Sequence, residues 1–256
     1  MADALEHYLH GRRRRHEILL MTHIVMGHPD FDTSLRLVET MVEAGVDLME
    51  LQIPFSEPIA DGPAILHANQ AALNAGCTVD RCFTLAAELT RRFEIPFLFM
   101  SYYNLLFRRG VSRFAERMRA AGLMGAIVPD LPPEEAGEYL AAMEASELAP
   151  IFIFAPSTPV ARLGHIAAVG RGFVYCVARK GVTGSETRLS PELSAYLARA
   201  RAATQLPLAV GFGVKERADV DFLRGKADIA VIGSRTLEVL AREGVEGVGR
   251  MLAGLR

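Results

Sequence analysis

Eight short runs of apolar and β-branched residues punctuate this chain, and the longer intervals between them carry apolar residues three and four apart. Strands alternating with amphipathic helices are the pattern of a parallel sheet, because a parallel neighbour is reached only by a crossover that carries the chain back along the sheet. The runs lie at 18–25, 47–51, 97–100, 125–128, 150–154, 172–177, 206–210 and 229–232. Helical periodicity is clearest over 33–42 and 79–93, and Gly45, Gly76, Gly122 and Gly170 stand where helices should stop. Eight such units in 256 residues fit the size of a (β/α)8 TIM barrel. No Pro/Gly/Ser-rich linker divides the chain, so the expectation is one α/β barrel domain over 1–256, with 1–16 as a helical extension. The rival is an open, doubly wound sheet. It would want a glycine-rich turn after the first strand, where Met26-Gly27-His28-Pro29-Asp30 offers one glycine and a proline.

Composition removes several function classes. Half the residues are hydrophobic and 23% are charged, which excludes disorder. Lys+Arg 28 against Asp+Glu 30 leaves a net charge of -2, so no global positive field draws in nucleic acid or an anionic membrane. No apolar run approaches the roughly 18 residues of a membrane span. The segment 1–16 is polar and lacks the apolar core of a signal peptide. Cys77, Cys82 and Cys176 are an odd number, and with no clustered histidines they show no metal-ligand spacing. A cytoplasmic protein without metal is expected. The run Arg12 to Arg15 reads as a solvated face or a contact for a partner.

A barrel binds its ligands at the carboxyl ends of the strands, so the residues after each run are the ones to inspect. The second run leads into Glu50-Leu-Gln-Ile-Pro-Phe-Ser-Glu-Pro-Ile-Ala-Asp61-Gly-Pro, a proline-stiffened loop with three carboxylates. Glu50, inside an apolar strand, faces either the barrel mouth or the helix layer; it is a proton-transfer candidate or one half of a structural ion pair. Asp61 either returns to the mouth or caps the helix that starts near Pro63. Gly211-Phe212-Gly213-Val214 and Gly233-Ser234-Arg235-Thr236 follow the last two runs, where barrels commonly hold phosphate on backbone N–H groups; otherwise they are ordinary tight turns. The polar stretch from Arg179 to Arg188, with Gly181 and Gly184, reads as a lid that brings Arg179 or Thr183 over an anion, or as a plain surface loop. Tyr102, Tyr103 and Tyr175 either line the same mouth or fill the barrel. His23, which interrupts the first run, either faces the pocket or is a core histidine with its hydrogen bonds met.

Taken together, the Glu50 to Pro63 stretch, Tyr102-Tyr-Asn, Ile127-Val-Pro-Asp-Leu-Pro-Pro-Glu-Glu, Ala155-Pro-Ser-Thr-Pro, Gly181-Val-Thr-Gly and Gly211-Phe-Gly-Val resemble, in order, the tryptophan synthase α-subunit family. The resemblance covers nearly the whole chain. It implies a (β/α)8 barrel that cleaves indole-3-glycerol phosphate to indole and glyceraldehyde 3-phosphate without cofactor or metal, and a β-subunit partner that receives the indole. By position, Glu50 resembles the general acid/base and Asp61 the acid that holds the indole N–H. Tyr102 and Tyr175 fall on substrate-binding positions, Tyr175 near the glycerol, and Thr183 on the residue that closes over the aspartate. Gly184, Phe212, Gly213, Gly233 and Ser234 fall on phosphate-binding positions.

The chain departs from the pattern at several of these places. Gln52 stands where the family usually has glycine, Glu57 where it has aspartate, and Arg235 where a small residue is common. His23 and His28 occupy positions normally aromatic and acidic. Three activities are compatible with this set: an α subunit working with a β subunit, a stand-alone lyase that releases free indole, and a non-catalytic barrel that activates a β subunit. Retention of both carboxylates and the phosphate turns argues against the last.

Overall fold

A computed structural model of the chain describes residues 3–177, 191–211 and 213–256. Eight strands form a closed barrel: β1 (Leu19–Val25), β2 (Leu48–Gln52), β3 (Phe97–Met100), β4 (Gly125–Ile127), β5 (Ala149–Phe154), β6 (Val174–Val177), β7 (Leu208–Gly211) and β8 (Ile229–Ile232). Each pairs in parallel with the next, and β8 closes on β1 through the register Leu19↔Ile229 to Thr22↔Ile232. Closure sets aside the open sheet. The expected runs match these strands to within two residues, and the shifts have causes. Pro207 lacks the N–H a ladder needs, so β7 starts after it. Asp47 precedes β2 because its carboxylate is committed to side-chain and backbone partners below the barrel.

Alternation along the strands sorts side chains into two layers. Leu19, Met21, Leu48, Leu98, Ile127, Ile151, Phe173, Ala209 and Ile229 fill the barrel interior, whereas Met49, Leu51, Phe97, Phe99 and Val210 face the surrounding helices. Most connecting helices end as their glycines suggest. At Gly45 (φ +87°), for example, the Val46 N–H reaches back to the Met41 carbonyl and the Gly45 N–H to Val42, closing the helix with a left-handed residue. Gly170 differs, with φ -72° and an extended conformation.

The helix α1 (Asp3–Arg13) lies across the amino-terminal end of the barrel. Leu5 and Leu9 are buried together with the interior side chains, each burial worth about 1.5–3 kcal/mol. Glu6 accepts from the Gly172 N–H at 2.9 Å, and the Tyr8 hydroxyl donates to the Asp47 carbonyl at 2.9 Å. The arginine run corrects its sequence reading. Arg12 pairs with the fully buried Asp47 at 2.5 Å and Arg13 with Asp228 at 2.9 Å, so half of the run fastens α1 to the barrel. Arg14 and Arg15 are exposed. Arg256 also reaches Asp47, at 2.6 Å. No helix among the described residues is long and apolar enough to cross a membrane.

Candidate active site

At the other end of the strands lies a cavity of about 790 Å³, counted to its open rim and lined by His23, Glu50, Asp61, Tyr175, Gly213, Gly233 and Ser234 among others. Period-two alternation on β2 puts Glu50 and Gln52 on the same inner side as Leu48, one and two steps above the packed interior. On β1, His23 stands level with Glu50 in the register, and its Nδ1 shares a hydrogen bond of 2.9 Å with Glu50 Oε1. Both side chains are buried, 3% and 4% exposed. Glu50 is therefore at the mouth and in a buried hydrogen-bonded pair at once; the two sequence readings are not exclusive.

Asp61 returns to the same cavity from the far end of the loop. The capping alternative fails, because the helix Pro63–Asn74 is capped by Gly62 with no side-chain hydrogen bond. Asp61 Oδ2 instead accepts from Gln52 Nε2 at 2.5 Å and from Asn69 Nδ2 at 3.3 Å. Burial raises its pKa, while Gln52, His23 and the Tyr102 hydroxyl draw it part of the way back. Asn69 also accepts from the Phe55 N–H at 3.0 Å, so one asparagine ties the loop at two points.

Tyr102 reaches the site through Asp61, to which its hydroxyl is hydrogen-bonded. It is fully buried behind the loop, stacked on Phe55 with ring centroids 5.0 Å apart, and its hydroxyl accepts from the Ala60 N–H at 3.1 Å. Tyr103 stands outside the mouth, its N–H donating to Asp130. Tyr175 does line the cavity, and its phenol is pushed well above its usual pKa by burial and by the charges of Glu50 and Asp61. A neighbour fixes it there. A Cβ at Gly211 would sit 2.4 Å from Tyr175 Cε1 and 2.5 Å from its hydroxyl, so only glycine fits. Gly211→Ala is expected to displace the Tyr175 ring and lower turnover at least tenfold, at an overpacking cost of about 1–3 kcal/mol; turnover and melting temperature measured together test this, and unchanged turnover refutes it.

On the opposite rim, Gly233 is the N-cap of the helix Ser234–Ala253, whose first N–H groups have no partners within the helix. Gly213, with φ +101°, lies beside it. Such a helix start, flanked by glycine turns, suits a phosphate. Lys215 and Arg235 line the cavity too. Lys215 had no signal in the sequence beyond its place two residues after Gly213; Gln52, Asn69 and the side taken by His23 were equally unreadable, since all three depend on which side chains the closed barrel brings together. Thr183, Gly184, Phe212 and the proposed lid from Arg179 to Arg188 lie outside the described residues.

The family model of the tryptophan synthase alpha chain matches residues 9–251. The tryptophan synthase alpha chain of Desulforapulum autotrophicum is 62% identical over 251 residues, covering 98% of this chain and 99% of that one. That of Syntrophotalea carbinolica is 61% identical over 252 residues, with 98% and 100% covered. Among solved structures, Mycobacterium tuberculosis tryptophan synthase matches with a TM-score of 0.91 at 34% identity, over 98% of this chain and 96% of that chain. The tryptophan synthase complex of Pyrococcus furiosus matches with a TM-score of 0.85 at 31% identity, over 93% and 97%.

Proposed function

The chain belongs to the tryptophan synthase alpha chain family, a carbon–carbon lyase family that cleaves indole-3-glycerol phosphate to indole and glyceraldehyde 3-phosphate, and from that premise we propose which of its residues do the work. The observation that carries the reading is that Glu50 and Asp61, eleven positions apart, open into one cavity whose far rim is the glycine-flanked start of a helix. An aromatic indole is a poor leaving group. Protonation at ring C3 converts it to an indolenine cation, from which the bond to the glycerol carbon breaks with return of aromaticity. Glu50 delivers that proton and accepts the one released by the adjacent glycerol hydroxyl, a role worth about 10²- to 10⁴-fold in rate. Asp61 accepts the ring N–H and balances the charge that develops on it. Its raised pKa reflects burial, which the arriving cation relieves.

Tyr175 stands where it can meet the glycerol, and Tyr102 serves by holding the loop that carries Asp61. Phosphate is held by Gly213, Gly233 and Ser234, with Gly184 and Phe212 as further contacts and Thr183 closing over the aspartate. The rim supports this: helix N–H groups and glycine backbone approach phosphate oxygens closely, and Lys215 and Arg235 add positive charge. Ser234→Asp places a carboxylate against the phosphate. It is expected to weaken binding of glycerol phosphate at least tenfold with the fold retained, and unchanged affinity by calorimetry removes the assignment.

We also read the whole of 1–256 as one domain in the cytoplasm, with a tryptophan synthase β subunit as partner. Ile59, next to the cavity-lining Ala60, and Phe107, on the helix after β3, are 71% and 64% exposed, apolar side chains that such a partner would cover. Turnover of indole-3-glycerol phosphate by the isolated chain, with and without a β subunit, tests the partnership. Stimulation by the β subunit supports the partnership; equal rates favour a chain that works alone.

A further inference from the structure

Glu50 shares its place in the barrel with an imidazole. His23 and Glu50 are level neighbours on β1 and β2, joined through Nδ1 and Oε1 at 2.9 Å, and both line the cavity. The second ring nitrogen, His23 Nε2, is buried with no hydrogen-bond partner among the described residues, and so is Gln52 Oε1. Gln52 in turn donates to Asp61 through Nε2. His23 is thus bonded to one carboxylate of the cavity and Gln52 to the other.

We propose that His23 is a positioning residue that shares one proton with Glu50, so that the acid/base of this chain is a carboxylate–imidazole couple. The inference rests on the reading of Glu50 given above. The couple holds a single proton, written as imidazolium–carboxylate or as imidazole–carboxylic acid. In the forward reaction it gives that proton to ring C3 through Glu50. The bond between C3 and the glycerol carbon then breaks, its electron pair returning to the ring, and the hydroxyl on that carbon becomes the aldehyde. The hydroxyl proton passes back to Glu50, and the couple ends as it began.

The surroundings agree with this. Burial alone would strip the proton from His23, yet the hydrogen bond and charge of Glu50, with help from Asp61 and Gln52, outweigh it and hold the imidazole pKa above its usual value. Among the described residues, the other titratable groups lining the cavity are Tyr175, Lys215 and Arg235. The groups that act on the imidazole are the two carboxylates. Arg235 faces Glu238, at 3.4 Å. The couple therefore keeps its proton as pH rises past the ordinary range of a free imidazole, and loses acid capacity only above that.

The test compares His23→Phe and His23→Asn with Glu50→Gln in the full chain. His23→Phe is expected to lower kcat about 10- to 100-fold with KM changed less than threefold, the scale of a misplaced catalytic group. Its alkaline limb should move to lower pH, because a carboxyl alone then holds the proton. His23→Asn retains a donor for Glu50 but cannot titrate; it should recover part of kcat and leave the limb displaced. A His23→Phe variant with wild-type kcat and limb overturns the proposal, as does a His23→Asn variant with the wild-type limb. Nitrogen NMR of the imidazole needs no change at position 23: its titration should fall to lower pH in Glu50→Gln, and an unmoved titration also overturns it. If Glu50→Gln itself cleaves normally, the reading of Glu50 falls; if only the His23 variants do, the couple alone falls.

Discussion

Replacing Glu50 with glutamine is expected to slow cleavage of indole-3-glycerol phosphate by about 10²- to 10⁴-fold, with little change in affinity for a non-cleavable indole alkyl phosphate. The amide keeps the size of the side chain and an oxygen that accepts from His23 Nδ1, so the buried contact at 2.9 Å survives. What is lost is the ability to give and take a proton. Asp61→Asn should also lose turnover, for a different reason: it keeps an acceptor for the indole N–H and loses the charge that favours the protonated ring. Neither change should unfold the barrel, since both side chains border the cavity above the packed interior. If Glu50 were only structural, the glutamine variant would melt lower and cleave normally. Single-turnover cleavage, analogue affinity and melting temperature measured together separate the two outcomes.

A loss of the opposite kind is expected at Asp47. Its carboxylate is fully buried, accepts from Arg12 and Arg256 at 2.5 and 2.6 Å, and takes the Leu20 N–H at 2.9 Å. Asp47→Asn leaves two guanidinium groups facing each other without a counter-charge. Both guanidinium groups are a quarter to a third exposed, so weakening their charge-assisted bonds costs about 1.5–3 kcal/mol in all. For a chain of this size each kcal/mol lowers the melting temperature by about 2–4 °C, so a fall of about 5–10 °C follows. Turnover per folded molecule should hold, because Asp47 sits at the amino-terminal end of the strands. Calorimetry beside kcat decides: a melting temperature within 2 °C of wild type would show that the cage carries little load, and a lost kcat in a stable variant would mean that the two ends of the barrel are coupled.

The strands were legible because a parallel strand is covered on both faces and reads as an unbroken apolar run, as in Phe97–Met100 and Ile229–Ile232. Glu50 was legible as a charge inside such a run, and the eleven-residue step to Asp61 added to the family likeness. The place of Tyr102 was not, since a tyrosine after a strand looks the same whether it faces substrate or braces a loop from behind. His23 failed for a related reason. One polar residue in an apolar strand fits a core or a pocket equally well, and only the register against β2 decides. The arginine run was misread because a block of charge says nothing about distant partners: Asp47 is 35 positions from Arg12, and Asp228 lies at the other end of the chain.

The helix laid across the barrel's amino-terminal end has a bearing on traffic. Leu5 and Leu9 close a floor already filled by Met21, Leu48, Phe173 and Ile229, which makes the catalytic chamber a cul-de-sac. Indole is small, uncharged and apolar, the kind of molecule that would seep through an unsealed barrel. With the floor shut, the exit open to it is the mouth at the carboxyl ends of the strands, where the cavity opens. The heading of the product is therefore set by a helix that touches no reacting atom, and a receiver docked over that mouth would intercept indole before it reached bulk water.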